Sequence, residues 1–165
     1  MRDPNFERSV VLLLQHSEAG ALGLIINRES PIRVQDVAEQ LSMQMPSAAV
    51  RPALWGGPVE RQTGFVIYRG SDPDAPWSCP AGIAVSTSRE RLDALLRSGA
   101  EFHLCLGYAG WGPGQLDAEV ESGSWAYVEA DAELAVACPL AERYDRALAR
   151  LGVAAGMLWM SPINE

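Results

Sequence analysis

The sequence contains no lysine: all 13 basic residues are arginine, set against 21 acidic ones. Without lysine there is no Gly-Lys-Ser/Thr, and therefore no P-loop. The absence itself reflects base composition more than function. A formal net charge of −8 repels phosphate backbones at long range, which argues against general nucleic-acid binding. Histidine is almost as scarce. His16 and His103 stand apart, with no clustered acids beside them, so no metal site is expected. The three cysteines, Cys79, Cys105 and Cys138, are odd in number and form no C-x-x-C; they are expected as reduced thiols in a cytoplasmic protein. Long apolar runs are missing too. Val10–Leu14 falls far short of the ~20 residues that cross a bilayer, and Met1-Arg2-Asp3-Pro4-Asn5 has no apolar signal region. Neither a membrane nor a cofactor is called for.

What remains is a globular composition, 48% apolar and 21% charged over 165 residues, which suits one domain spanning 1–165. Ser9 to Gln15 and Gly20 to Arg28 read as two strands joined by a short polar link, an antiparallel hairpin with Gly23 marking a bulge or a close approach. After Pro31, the spacing of Val34, Val37, Ala38 and Leu41 predicts a helix from about Arg33 to Met43, ended by Pro46 and Pro52. Gly64 to Arg69 and Gly82 to Ser86 read as strands, with Gly70 to Pro80 as a loop between them. Thr87 and Glu90 fit a capping box for a helix whose stripe is Leu92, Leu95 and Leu96 and which Gly99 closes. Glu101 to Tyr108 is a strand covered on both faces. Gly107 to Gly114 reads as a glycine-rich loop before a short helix at Gln115–Glu121. Ser124 to Glu129 reads as a strand, and Asp131 as the cap of a turn leading to Val136. Glu142 to Leu151 is a helix with Tyr144, Ala147, Leu148 and Leu151 inward and Arg143, Arg146 and Arg150 on one flank. Strands and helices intermix, which predicts an α+β fold with a mixed sheet.

Several segments together resemble the YqgE/AlgH family: Asp3-Pro4-Asn5-Phe6-Glu7-Arg8-Ser9-Val10, Gly20 to Arg28, Gly56-Gly57-Pro58-Val59, Ser86-Thr87-Ser88, and above all Leu106-Gly107-Tyr108-Ala109-Gly110-Trp111-Gly112-Pro113-Gly114-Gln115-Leu116. Trp125 and the Arg143 to Gly152 helix agree. The resemblance spans roughly Asp3 to Met160. It implies a sheet curled into a pseudo-barrel with flanking helices, and proteins of open biochemical activity, some described as transcriptional regulators. The family's further apolar strand ahead of the residue matched by Asp3 is not in this sequence: either the start was set at an internal methionine, or the strand is missing, which would leave an unpaired sheet edge.

Three segments could carry a ligand. The loop of Gly107, Tyr108, Gly110, Trp111 and Gly112 opens a helix, where backbone N–H groups can hold an anion; the plainer alternative is a tight corner packed by Tyr108 and Trp111. Ser86, Thr87 and Ser88 at a strand-to-helix junction suit a phosphate or carboxylate, or serve only as a cap. Asn27 and Arg28 end a strand, where arginine can grip an anion or pair with Glu29. With the Gly56-Gly57 turn, these make up the expected ligand face. His16 is expected as a turn hydrogen-bonder and His103 as a satisfied core residue. Asp117, Glu119 and Glu121 read as solvated charge. With no acid/base pair in view, the favoured reading is a non-enzymatic regulatory or adaptor protein that binds a small anionic ligand or a protein partner. A hydrolase or transferase using Ser88 or Cys105, and a transcriptional regulator, are the alternatives.

Overall fold

The computed structural model describes residues 8–44, 51–70, 72–79 and 82–150. The expected features at Asp3–Glu7, Pro46, Pro80 and Leu151 onward lie outside the described residues. The strands are β1 (Val11–Ser17), β2 (Gly20–Ile25), β3 (Glu29–Arg33), β4 (Pro52–Trp55), β5 (Val59–Arg69), β6 (Trp77–Cys79), β7 (Ile83–Ser86) and β8 (Phe102–Trp111). The helices are α1 (Val34–Gln40), α2 (Arg89–Ser98), α3 (Gln115–Glu121) and α4 (Arg143–Ala149), with a π turn at Glu133–Ala137.

The sheet runs β1-β2-β8-β5-β7-β6, with β4 joining β8 in parallel and β3 pairing with β4. It is a mixed sheet curled into a nearly closed barrel with flanking helices, as the α+β reading expected. The β1–β2 hairpin slips register between Leu13 and Gln15, opposite Gly23, so the bulge signal was sound. β8 is the hub. Phe102, Leu104 and Leu106 point to a core shared with α1 and α2, while Cys105 points to a second core with Leu12, Leu24, Ile26, Phe65 and Val136. Covered on both sides, β8 needs the near-continuous apolar run it has.

Five expectations need correction. The Gly70 to Pro80 stretch is not all loop: Trp77–Cys79 adds β6 to β7, with Trp77 packing on Phe65. Gly107 to Trp111 is strand, because the ladder from β5 and β2 continues along β8 despite its glycines. The capping residue of α2 is Ser88 rather than Thr87; its Oγ accepts the Arg91 N–H at 3.1 Å. Gly99 closes that helix at φ 70°, as expected. Ser124 to Glu129 is not a strand, since it enters no ladder. Residues Glu29–Arg33, read as a break at Pro31, form β3 on an exposed edge where proline is tolerated.

Candidate functional site

The structure brings some of the expected ligand residues together and separates others. Gly56, Gly57, Gly107 and Tyr108 meet where the β4–β5 turn crosses β8. Gly56 N–H donates to Leu106 O and Ile25 N–H to Gly56 O, each at 2.8 Å. A Cβ on Gly57 would stand 2.1 Å from the Tyr108 carbonyl carbon, and one on Gly107 would stand 2.4 Å from Gly57 O. These glycines exist so that backbone can touch backbone. Arg28 is close by, its guanidinium 5.7 Å from the Trp55 ring centre, and its carbonyl accepts the Trp55 N–H at 2.9 Å. Asn27 ties down the start of β1: its Oδ1 accepts from Val10 N–H and its Nδ2 donates to Arg8 O, both at 2.9 Å.

Ser86, Thr87 and Ser88 lie elsewhere, at the end of β7. Ser86 is buried and its Oγ accepts the Ser88 N–H at 3.1 Å; Thr87 is exposed. Ser88 Oγ donates to Glu90 at 3.0 Å while capping α2, so it has a carboxylate partner but sits in a helix-start motif. Gly110, Trp111 and Gly112 lie at the far end of β8, where Gly112 N–H donates to the Gln115 side chain at 2.9 Å. Trp111 is buried, and its indole N–H donates to Glu119 Oε1 at 3.1 Å; the Trp125 indole donates to the same oxygen at 2.9 Å. Glu119 is therefore not plain solvated charge. It clamps two tryptophans whose rings meet edge to face at 5.8 Å. His16 lies within β1 rather than past it, 3.0 Å from Asp117.

A buried cation went unread. Arg143, assigned to an exposed flank of α4, is fully buried. Its Nη1 donates to Ile26 O at 2.5 Å, its Nε to Cys138 O at 3.1 Å and its Nη2 to Val136 O at 3.3 Å. Nη2 also stands 2.7 Å from His103 Nε2. Nε2 also lies 2.9 Å from Val136 O, so a carbonyl and the guanidinium meet at one ring nitrogen. Burial, then the neighbouring Arg143 charge, lower the His103 pKa to about 4. His103 is thus the satisfied core residue that was expected. Cys105 is shut in, its thiol pushed up to about 12 by burial, which leaves no thiolate for nucleophilic attack. Among the described residues, no group of three or more His, Cys, Asp and Glu could hold a metal ion, and no helix is long and apolar enough to cross a membrane.

A space for a ligand lies away from all three expected segments, Trp111 excepted. A cavity of about 390 Å³ runs beside β1 and is bounded by residues 124–128, α3, the π turn and α4. Trp111, Leu116, Leu134 and Leu148 line its depth, with Arg8 and Tyr144 stacked at its rim, 4.3 Å from cation to ring centre. No glycine or hydroxyl cluster advertised it. Its one sequence signal was Ser124 to Glu129, a strand-like stretch that turned out to have no ladder.

The AlgH-like family model matches residues 1–156 of the chain. The chain belongs to the AlgH-like family. Among AlgH-like relatives, the UPF0301 protein of Myxococcus xanthus is 39% identical over 96% of this chain and 88% of its own length. That of Acidovorax sp. is 40% identical over 96% and 86%. The solution structure of the AlgH protein from Pseudomonas aeruginosa superposes with a TM-score of 0.77 at 36% identity, covering 98% of this chain and 88% of that one. A Corynebacterium diphtheriae protein, at 24% identity and a TM-score of 0.58 over 76% of this chain and 68% of its own, shares the fold.

Proposed function

We propose that this AlgH-like protein works by binding rather than by catalysis, as a cytoplasmic regulatory or adaptor protein whose small anionic ligand or protein partner occupies the cavity beside β1. One observation carries the reading: the molecule has a deep, largely apolar cavity, while the two nucleophile candidates lie elsewhere and are engaged. Cys105 is buried with a raised pKa, and Ser88 caps a helix. Neither lines the cavity. Apolar walls supply affinity, and Arg8 at the rim supplies a charge that suits an anionic group.

Anilinonaphthalene sulfonate, an apolar anion, tests this directly. Saturable one-site binding with a change in tryptophan emission is expected, because Trp111 and Trp125 line the space. Ala147→Trp and Ala126→Trp, each folded by circular dichroism, should fill the cavity and abolish binding. Dye binding that is absent, or that survives both variants, would overturn the reading.

A further inference from the structure

We infer that the slot beside β1 takes a small single-headed amphiphile: a fatty carboxylate whose head meets Arg8 and whose plain hydrocarbon body reaches Trp111. The inference rests on the reading that this cavity is the binding site, and it goes further by fixing the chemistry of the ligand.

The charge of the head follows from the walls. Arg8 is the only charged side chain among the described residues that line the space. Its nearest acid, Asp145, stands 3.9 Å away, and both side chains are about two-thirds exposed. A pair so loose and so solvated leaves most of the charge available. Contact with the Tyr144 ring uses the flat face of the guanidinium, and its N–H donors lie in the plane of the group, where a carboxylate can take two of them. A second positive charge lies behind the wall. Arg143 donates to the carbonyl of Ile26, a lining residue, and its hydrogen-bond partners among the described residues are carbonyl oxygens and His103 rather than carboxylates. A cation in the low-dielectric interior acts on its neighbours more strongly than one in water. With one cation at the rim, a head of one charge is matched. A second carboxylate deeper in the space would have nothing to pair with.

The body follows from how the tryptophans are tied. The one polar atom of an indole is an N–H that only donates. Trp111 and Trp125 both give theirs to Glu119 Oε1, and Glu119 stands outside the lining, so the pair turns ring carbon toward the cavity. Leu116, Leu134 and Leu148 complete an inner wall of side-chain carbon. Hydrocarbon gains there by leaving water, whereas a hydroxyl would lose its water with no side chain to replace it. The volume of about 390 Å³ falls near the small end of the roughly 300–1,000 Å³ typical of ligand sites, which suits one chain rather than two.

The probes are straight-chain carboxylates from hexanoate to dodecanoate, kept below their micelle concentrations and read by displacement of anilinonaphthalene sulfonate. We expect affinity to rise about three- to fourfold per added methylene and to level off once the space is full. Dodecanoate carrying a terminal hydroxyl, and dodecylammonium, should each bind at least tenfold more weakly than dodecanoate. Arg8→Gln, at an exposed position, should shrink the preference for carboxylate over ammonium and keep the dependence on chain length. Dye that binds but that no carboxylate displaces, or equal affinity for the hydroxylated chain, would overturn this inference and leave the cavity as a site for another anion. Affinity that climbs with length and never levels off would overturn it too, because the chains would be coating a surface. A carboxylate preference untouched by Arg8→Gln would refute the placing of the head. Failure of the dye itself to bind would sink both readings together.

Discussion

The corner where the β4–β5 turn meets β8 and the slot beside β1 are opposites. The corner is rich in glycine, and its backbone atoms are in contact; no Cβ fits at Gly56, Gly57 or Gly107. The slot is lined by ordinary apolar side chains and is open. Glycine allows backbone to come close either to a ligand or to another strand, and the sequence does not distinguish the two uses. Here the strands have already used the room. Space for a partner appears instead in the cavity beside β1.

The sharpest way to break this contrast is to put one methyl group in the corner and one outside it, at the far end of β8. Gly57→Ala sets a Cβ 2.1 Å from the Tyr108 carbonyl carbon at φ 152°, and all three nearest atoms are backbone. Clash and strained backbone together should cost about 3 to 6 kcal/mol in a urea titration, enough to unfold a marginal domain. Gly110→Ala meets only the Tyr108 ring at 3.7 Å, an ordinary contact, and should change stability by about 0.5 kcal/mol or less. Equal effects at the two positions would mean that the corner is not the tight crossing described.

How much of this was legible beforehand follows from which signals are local. The α2 stripe of Leu92, Leu95 and Leu96 with its Gly99 stop, the Gln115–Glu121 helix and the Asp131 cap depend on neighbours in sequence, and each formed where expected; Asp131 Oδ1 accepts the Leu134 N–H at 3.0 Å. Ser124 to Glu129 failed because a strand needs a partner, and the pattern of one segment does not say whether a partner is there. Arg143 failed for a related reason. Its helix neighbours Arg146 and Arg150 do reach solvent-side acids at Glu142 and Asp131, so a basic flank was a fair reading. The carbonyls that capture Arg143 come from Ile26, Val136 and Cys138, and the turn exposing two of them is a π turn without a sequence signature. Of the expected ligand residues, only Trp111 borders the cavity.

Acid should act on the slot before the corner. Burial and the Arg143 charge beside it hold His103 neutral, and α4, which carries Arg143, also carries Tyr144, Ala147 and Leu148 of the slot wall. Its pKa in the folded protein, about 4, lies below the 6.5 of an unperturbed imidazole, so the unfolded chain binds the extra proton. Its contribution is fully present above pH 6.5 and is lost as the pH falls from 6.5 toward 4, on the order of 3 kcal/mol in all. Urea midpoints taken across that range should decline, and His103→Gln should flatten the decline. Amide exchange in α4 should rise earlier than exchange at Val59 and Gly64. A profile unchanged by His103→Gln would show that the imidazole does not hold this wall.

The smallest effect concerns the segment that looked most like chemistry. If Ser88 is a helix cap and nothing more, Ser88→Ala removes the acceptor for the Arg91 N–H and should cost about 1 kcal/mol. Ser88→Asp keeps an acceptor oxygen at the helix start, so stability should return to within about 0.5 kcal/mol of the parent. Glu90, which takes the Ser88 hydroxyl at 3.0 Å, would then face a like charge, and this is why recovery should be incomplete. Neither substitution reaches the slot, so affinity for anilinonaphthalene sulfonate should be the same in all three proteins. A dye affinity that fell with Ser88→Ala while stability held would tie the hydroxyl to the ligand instead, and the contrast between a backbone-built corner and an open slot would no longer account for where this molecule binds.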